Sequence, residues 1–271
     1  MDAVCEKKAY NYLKRKYIPY LKDFSPLESS DTQPAKIIWV LWLQGEEFAP
    51  EIVRRCISSI REHAGECEVR VVDNSNLADY IVIPNSINER LRKHQMQFAQ
   101  YSDYIRVALL VRYGGFWIDS TVLMTGPMPE AALDSPLFVF KTSAFDNAVI
   151  KCSNWFIAAQ RNNPILQRIQ YILEIYWKRE SRLCDYYLFH LLLSAIVDSD
   201  PESRALWKQI RFVNNVDVHR LQAVLVEPYS DQMMDDISSA SNIHKLTYKF
   251  RDQSIFHRDN TFYKHIISGT L

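Results

Sequence analysis

The chain has 271 residues, of which 48% are hydrophobic and 13% aromatic, enough to bury a full core and to exclude a disordered protein. Lys and Arg number 32 and so do Asp and Glu; zero net charge argues against a general nucleic-acid binder, although one nucleotide needs only a local site. The five cysteines are odd in number and form no CxxC, which suggests neither a zinc site nor a disulfide framework and fits a reducing compartment.

Residues 1–24 interleave Lys7, Lys8, Lys14, Arg15, Lys16 and Lys22 with Tyr10, Tyr12, Tyr17 and Tyr20, and a helix is expected up to Pro19. Two readings stand for this segment: the solvated face of a packing helix, or a basic and aromatic face for peripheral membrane contact. It has no apolar core, so no secretory leader is expected, and no run in the chain reaches the roughly 18 apolar residues of a membrane span. A cytoplasmic protein is the expectation, peripheral on the inner face of the membrane under the second reading. Residues 25–35 read as a linker, which divides the chain into 1–35, a main domain over 36–250 and a tail over 251–271.

Lys36 to Leu43 is a continuous apolar run, as expected of a strand buried on both faces, and Gln44-Gly45 ends it. Ala49 to Ala64 follows as an amphipathic helix, then Glu68 to Val72 as a strand entering the polar loop Asp73-Asn74-Ser75-Asn76. This β-α-β order predicts a parallel pair. A helix-rich stretch is expected from Asn85 to Arg112, with a helix over Ser102 to Arg112 that has Ser102 as N-cap. Further strands are expected at Phe116–Ile118, Leu137–Lys141 and Asn154–Ala159, and helices at Pro164–Arg179 and Asp185–Val197. Neither G-x-G-x-x-G nor a P-loop can be written anywhere, so a nucleotide has to be held by a metal or by side chains.

Tyr113-Gly114-Gly115-Phe116-Trp117-Ile118-Asp119-Ser120-Thr121 is the most informative segment. Two of only six glycines are adjacent, one suited to a left-handed cap on the preceding helix. The short apolar strand then delivers Asp119 at its carboxyl end, the edge where open α/β sheets bind ligands. On spacing alone, Gly-Gly is equally a plain turn and Asp119 a cap. Asp103 and Arg106 share a helical face and read as a cap with a local ion pair or as a functional pair. Asn76 and Asp185 likewise read as a turn asparagine and a helix cap, or as site residues.

The run Ser102-Asp103-Tyr104-Ile105-Arg106, followed by Tyr113 to Asp119, resembles the core signature of sugar-nucleotide transferases with a DXD region. Within these the chain resembles the capsular polysaccharide synthesis proteins, related to glycosyltransferase family 32, from roughly Lys36 to Tyr248. The resemblance implies an α/β, GT-A-like nucleotide-sugar transferase fold: a mostly parallel central sheet flanked by helices, with helical additions at both ends. It implies transfer of a hexose, galactose or glucose, from a UDP-sugar to a lipid-linked or oligosaccharide acceptor in capsule or O-antigen synthesis, with retention of anomeric configuration. A non-catalytic nucleotide-sugar binder or scaffold, and a sugar-nucleotide hydrolase, are the alternatives.

By the same resemblance, Asp103 accepts hexose hydroxyls and Arg106 holds the sugar or diphosphate. Trp42, Gln44 and Gly45 meet the nucleobase, Asn76 the nucleoside, and Trp117 the donor; Asn154 and Asp185 line the acceptor side. Asp119 is the leading ligand for Mn²⁺ or Mg²⁺, a Lewis acid for the departing diphosphate. Thr121 stands where family 32 usually has the second carboxylate of Asp-x-Asp. His244, in Asn242-Ile243-His244-Lys245-Leu246-Thr247-Tyr248, is the candidate third ligand, and Lys245 is expected to pair with phosphate.

Overall fold

The computed structural model describes residues 3–28, 31–143, 147–250 and 256–271. Positions 29–30 of the expected linker and 251–255 of the expected tail lie outside them. The strands are β1 (Ile37–Leu41), β2 (Glu68–Val72), β3 (Gly115–Ile118), β4 (Val122–Met124), β5 (Leu137–Lys141), β6 (Cys152–Ala159) and β7 (Ile243–Lys245). The first helices are α1 (Ala3–Lys16), α2 (Glu51–Glu62), α3 (Leu77–Tyr80), α4 (Asn85–Arg92), α5 (Phe98–Tyr113) and α6 (Glu130–Leu133). After them come α7 (Pro164–Arg179), α8 (Leu188–Ser199), α9 (Pro201–Gln209), α10 (Arg220–Ala223), α11 (Asp231–Ala240) and α12 (Phe262–Ser268).

Five strands form the central sheet in the order β2-β1-β3-β6-β5. β1 pairs parallel with β2 and with β3, whereas β6 is antiparallel to both β3 and β5. Four strands therefore run one way and β6 alone runs against them, so the expected mostly parallel sheet is present with one reversal the sequence did not announce. A second, two-stranded sheet pairs β4 antiparallel with β7.

Side chains alternate between the two faces of the sheet and both faces are covered, which is why β1 and β3 are apolar throughout. Trp39, Leu41, Trp117, Ile157 and Val139 enter one core with α1, α4, α5, α7 and α8. Ile38, Val40, Phe116, Ile118, Phe156 and Phe138 enter the other with α2, α11, α12 and the β4–β7 pair. The amino-terminal helix belongs to the first core: Leu13 and Tyr17 are fully buried, and the hydroxyls of Tyr12 and Tyr17 donate to Glu180 at 2.8 and 2.5 Å. Tyr10 donates to Asp198 at 2.7 Å. These tyrosines thus face the protein, and the lysines of the same helix remain outside.

Two of the boundaries that differ from expectation change the reading of a candidate residue. α5 starts four residues before Ser102, with Gln97 as N-cap, because Gln100 and Tyr101 are already buried and carry the helix face backwards. Ser102 is therefore not a cap, and Asp103 lies beyond the first turn. α8 starts at Leu188 rather than Asp185, since the Asp185 carboxylate accepts the Tyr187 N–H at 2.9 Å in a turn preceding the helix. Pro164–Arg179 and Leu137–Lys141 fall where the pattern places them.

The paired glycines are required for two different reasons. Gly114 ends α5 with φ +69°, and Gly115 opens β3 with φ +97°, angles that side chains rarely tolerate. A Cβ on Gly115 would lie 2.4 Å from the Ile37 carbonyl oxygen in the neighbouring strand. Gly115→Ala is therefore expected to lose about 2 kcal/mol or more in urea denaturation. Gly65→Ala, with φ +61° but nothing within 4 Å of the added carbon, is expected to lose only about 1 kcal/mol. Equal losses would show that backbone angle alone, not the approach to β1, governs the turn.

Candidate active site

β3 ends at Ile118 and places Asp119 at its carboxyl end, where the Asp119 N–H donates to the Trp155 carbonyl at 2.8 Å and pins the strand end to β6. Asp119 is two residues beyond Trp117 and points to the same side of the sheet, towards α5. The Trp117 indole N–H donates to Asp119 Oδ1 at 2.8 Å. Arg106 Nη2 donates to the same oxygen at 3.0 Å, while Nη1 is paired with Asp103. The guanidinium carbon lies 4.8 Å from the centre of the Trp117 ring, a cation–π contact. Asn154, at the start of β6, donates its amide to Asp103 Oδ1 at 2.8 Å.

The other side of Asp119 is occupied from far along the chain. Lys245 Nζ lies 3.2 Å from Asp119 Oδ2 and donates to the Thr121 hydroxyl. Backbone pairing holds it there: Lys245 is opposite Val122 in the β4–β7 ladder, and the Leu246 N–H donates to the Thr121 carbonyl at 2.8 Å. The same return places Tyr248 5.2 Å from Trp42, edge to face. Asp103, Arg106, Trp117, Asp119, Thr121, Asn154 and Lys245 are thus brought together, with Trp42 near the same returning segment.

Two carboxylates and two cations make the cluster neutral. Burial alone would push the Asp119 carboxyl up, but Lys245, Arg106 and the indole N–H more than reverse this and hold it below the ordinary range. For Asp103 burial prevails over Arg106, the Asp119 charge adds to it, and the carboxyl is raised. One aspartate is therefore committed to the ionised form and the other is readier to hold a proton, a divergence typical of working sites.

The remaining expected residues are placed elsewhere or engaged otherwise. Asn76 accepts from the Asp73 N–H and donates to the Val71 carbonyl, both at 3.0 Å, so its amide builds the loop after β2. Gln44 is exposed and Gly45 carries φ +91° in the turn beyond β1. Asp185 caps the turn before α8. His244 is fully buried, with Nε2 3.0 Å from the Thr125 hydroxyl and its basicity pushed down to about 4 by burial. Because neighbours on a strand alternate, the geometry that brings Lys245 to Asp119 turns His244 away.

Two residues not singled out from sequence lie near the cluster. Gln100, one turn before Asp103 on α5, is 2% exposed; its Nε2 donates to the Tyr186 carbonyl at 3.3 Å, and its Oε1 has no partner among the described residues. His190 on α8 has a buried, unpartnered Nδ1, and burial together with the Arg106 charge pushes its basicity down to about 3. Arg106 Nε is a third unpartnered atom. In the sequence His190 lies five residues after Asp185, within the expected helix Asp185–Val197.

The expected divalent cation does not fit this donor set. Asp119 is the sole carboxylate of the shortened motif, its Oδ1 receives two N–H donors and its Oδ2 faces an ammonium. Among the described residues no group of three or more His, Cys, Asp and Glu side chains is arranged to hold a metal ion.

Comparison with known proteins gives the family of the chain. The chain is 23% identical over 176 residues to the O-glycosyltransferase braB of Annulohypoxylon truncatum, covering 58% of this chain and 41% of that protein. It is 25% identical over 181 residues to the O-glycosyltransferase PaGT of Phomopsis amygdali, covering 60% and 44%. The chain thus spans less than half the length of these relatives. Among solved structures it is similar to the PaToxG glycosyltransferase, at 14% identity and TM-score 0.44, over 88% of this chain and 93% of that one. A model of the family described as capsular polysaccharide synthesis protein matches residues 2–266, and with nearly its whole length matched the chain belongs to that family.

Proposed function

We propose that this protein is a glycosyltransferase of GT-A type that moves a hexose, galactose or glucose, from a UDP-sugar to an oxygen of a growing glycan. The observation that carries the reading is the neutral Asp103–Arg106–Asp119–Lys245 cluster at the carboxyl end of β3, where a parallel sheet opens to a ligand. Family membership and relatives named as O-glycosyltransferases support the reaction class. The acceptor in this reading is a lipid-linked or oligosaccharide chain in capsule or O-antigen synthesis, and the family's description as capsular polysaccharide synthesis protein supports the capsule.

In this reading the diphosphate lies beside Lys245 and the sugar beside Asp103. The three unpartnered atoms favour a hydroxylated ligand on chemical grounds. Gln100 Oε1 only accepts, Arg106 Nε only donates, and neutral His190 Nδ1 takes either role according to tautomer. A phosphate oxygen satisfies the arginine but cannot donate to the glutamine. Sugar hydroxyls donate and accept, so they satisfy all three. In the transfer the anomeric carbon–oxygen bond breaks and its electron pair stays on the phosphate. The acceptor oxygen bonds the anomeric carbon, and its proton passes to the departing phosphate oxygen. Delivery on the same face of the sugar preserves anomeric configuration and needs no separate base.

A screen of UDP- and GDP-sugars, read by nucleoside diphosphate release with and without a lipid-linked acceptor, tests the proposal. Acceptor-dependent UDP release is the expected result. Acceptor-independent release makes the protein a hydrolase, and binding without release makes it a scaffold. Asp119→Asn is expected to reduce transfer at least about a hundredfold and to lower stability by about 1–3 kcal/mol, since Lys245 loses its carboxylate while Arg106 keeps Asp103. Near-normal turnover in that variant would remove Asp119 from the reaction. His190→Phe preserves ring packing but not Nδ1; donor turnover should fall about tenfold while UDP affinity stays within about twofold. An equal fall in both would place His190 at the nucleotide or in the scaffold.

A further inference from the structure

We infer that Lys245 is a built-in cation standing where a divalent metal would bind, so that the site handles a diphosphate without a metal ion; the inference rests on the glycosyl-transfer reading above. The ammonium reaches both Asp119 Oδ2 and the Thr121 hydroxyl. These are the first and third positions of Asp119-Ser120-Thr121, the two that present carboxylates in an Asp-x-Asp. The charges match the exchange. Two carboxylates carry two negative charges and suit a doubly charged ion. One carboxylate and one hydroxyl carry a single negative charge and suit a single ammonium.

The lysine is built in rather than draped over the surface. Its strand is registered on β4 by backbone hydrogen bonds, and its side chain is only 18% exposed. An ammonium has three N–H donors. The Thr121 hydroxyl takes one of them and Asp119 pairs with the charge, which leaves a donor for a phosphate oxygen. A metal entering the same place has to displace Lys245 from both partners or sit beside it, and like charges a few ångströms apart repel strongly in a partly desolvated site. In the transfer step the electron pair of the broken glycosyl–oxygen bond remains on the phosphate, and Lys245 together with Arg106 offsets the developing charge. No electron changes hands and no further reactant is needed.

The test is titration of the full chain with UDP by calorimetry, in excess chelator and in Mn²⁺, alongside paramagnetic resonance of free Mn²⁺. The UDP dissociation constants should agree within about twofold, because a ligand uncoupled from the metal shows no linkage. The free Mn²⁺ signal should diminish no more with protein and UDP together than with the same UDP alone. A further loss of that signal, together with UDP binding at least about tenfold tighter in Mn²⁺, overturns the inference without the need for any variant.

Lys245→Met is expected to weaken UDP at least about tenfold in chelator, the loss of one charge-assisted hydrogen bond. The double variant Thr121→Asp with Lys245→Met, which recreates two carboxylates and removes the ammonium, should acquire UDP binding that depends on Mn²⁺. Unchanged UDP affinity in folded Lys245→Met overturns the inference. Metal-independent UDP binding with no turnover of any sugar nucleotide removes the transfer reading while Lys245 keeps its assigned role. No UDP binding under either condition removes both.

Discussion

Arg106 is the group on which the site depends. It is 3% exposed, and a guanidinium so placed is stable only when its charge and N–H groups are answered nearby. Asp103 answers one arm and Asp119 the other, and the Trp117 ring covers its face. Each partner comes from a different part of the architecture. Asp103 lies one turn back on α5, Trp117 lies on β3, and Asp119 stands just past the end of that strand. The cation therefore locks the helix to the strand end, and the glycine pair between them allows the chain to turn from one into the other.

Burial of opposite charges is weak evidence for stability, because desolvation offsets much of the attraction. Its worth here is position. Asp119 has an N–H donor or a cation on each oxygen, so the carboxylate has little freedom to rotate. Preorganisation of this kind is what transition-state stabilisation needs, since no reorganisation remains to be done when charge develops.

Much of this was legible in the sequence because it is local. Gly114 to Asp119 encodes its own turn, strand and strand-end carboxylate, and the Asp103–Arg106 spacing places both on one helix face. The parts that were not legible depend on distant pairing. β7 is three residues long, too short to show a period, and its partner β4 lies more than 100 residues earlier. Without that pairing nothing says that Lys245 faces Asp119 while His244 faces Thr125. The reversal of β6 is equally silent, because a strand buried on both faces reads the same in either direction. Ser102 is a different case: it has good capping chemistry, yet the buried face of α5 continues one turn behind it and the helix starts there.

The late arrival of Lys245 has a consequence for how the protein is made. Asp103, Arg106 and Asp119 leave the ribosome early, in one stretch of chain, and can settle with α5 and β3 as a folding unit. Their fourth charge emerges more than 120 residues later, on a strand that must close a long loop to reach β4, the slow kind of contact in a folding reaction. Until then the nascent cluster carries an uncompensated negative charge. A chain interrupted before β7 therefore lacks the lysine that offsets the second carboxylate, and the cluster reaches neutrality only once β7 pairs with β4.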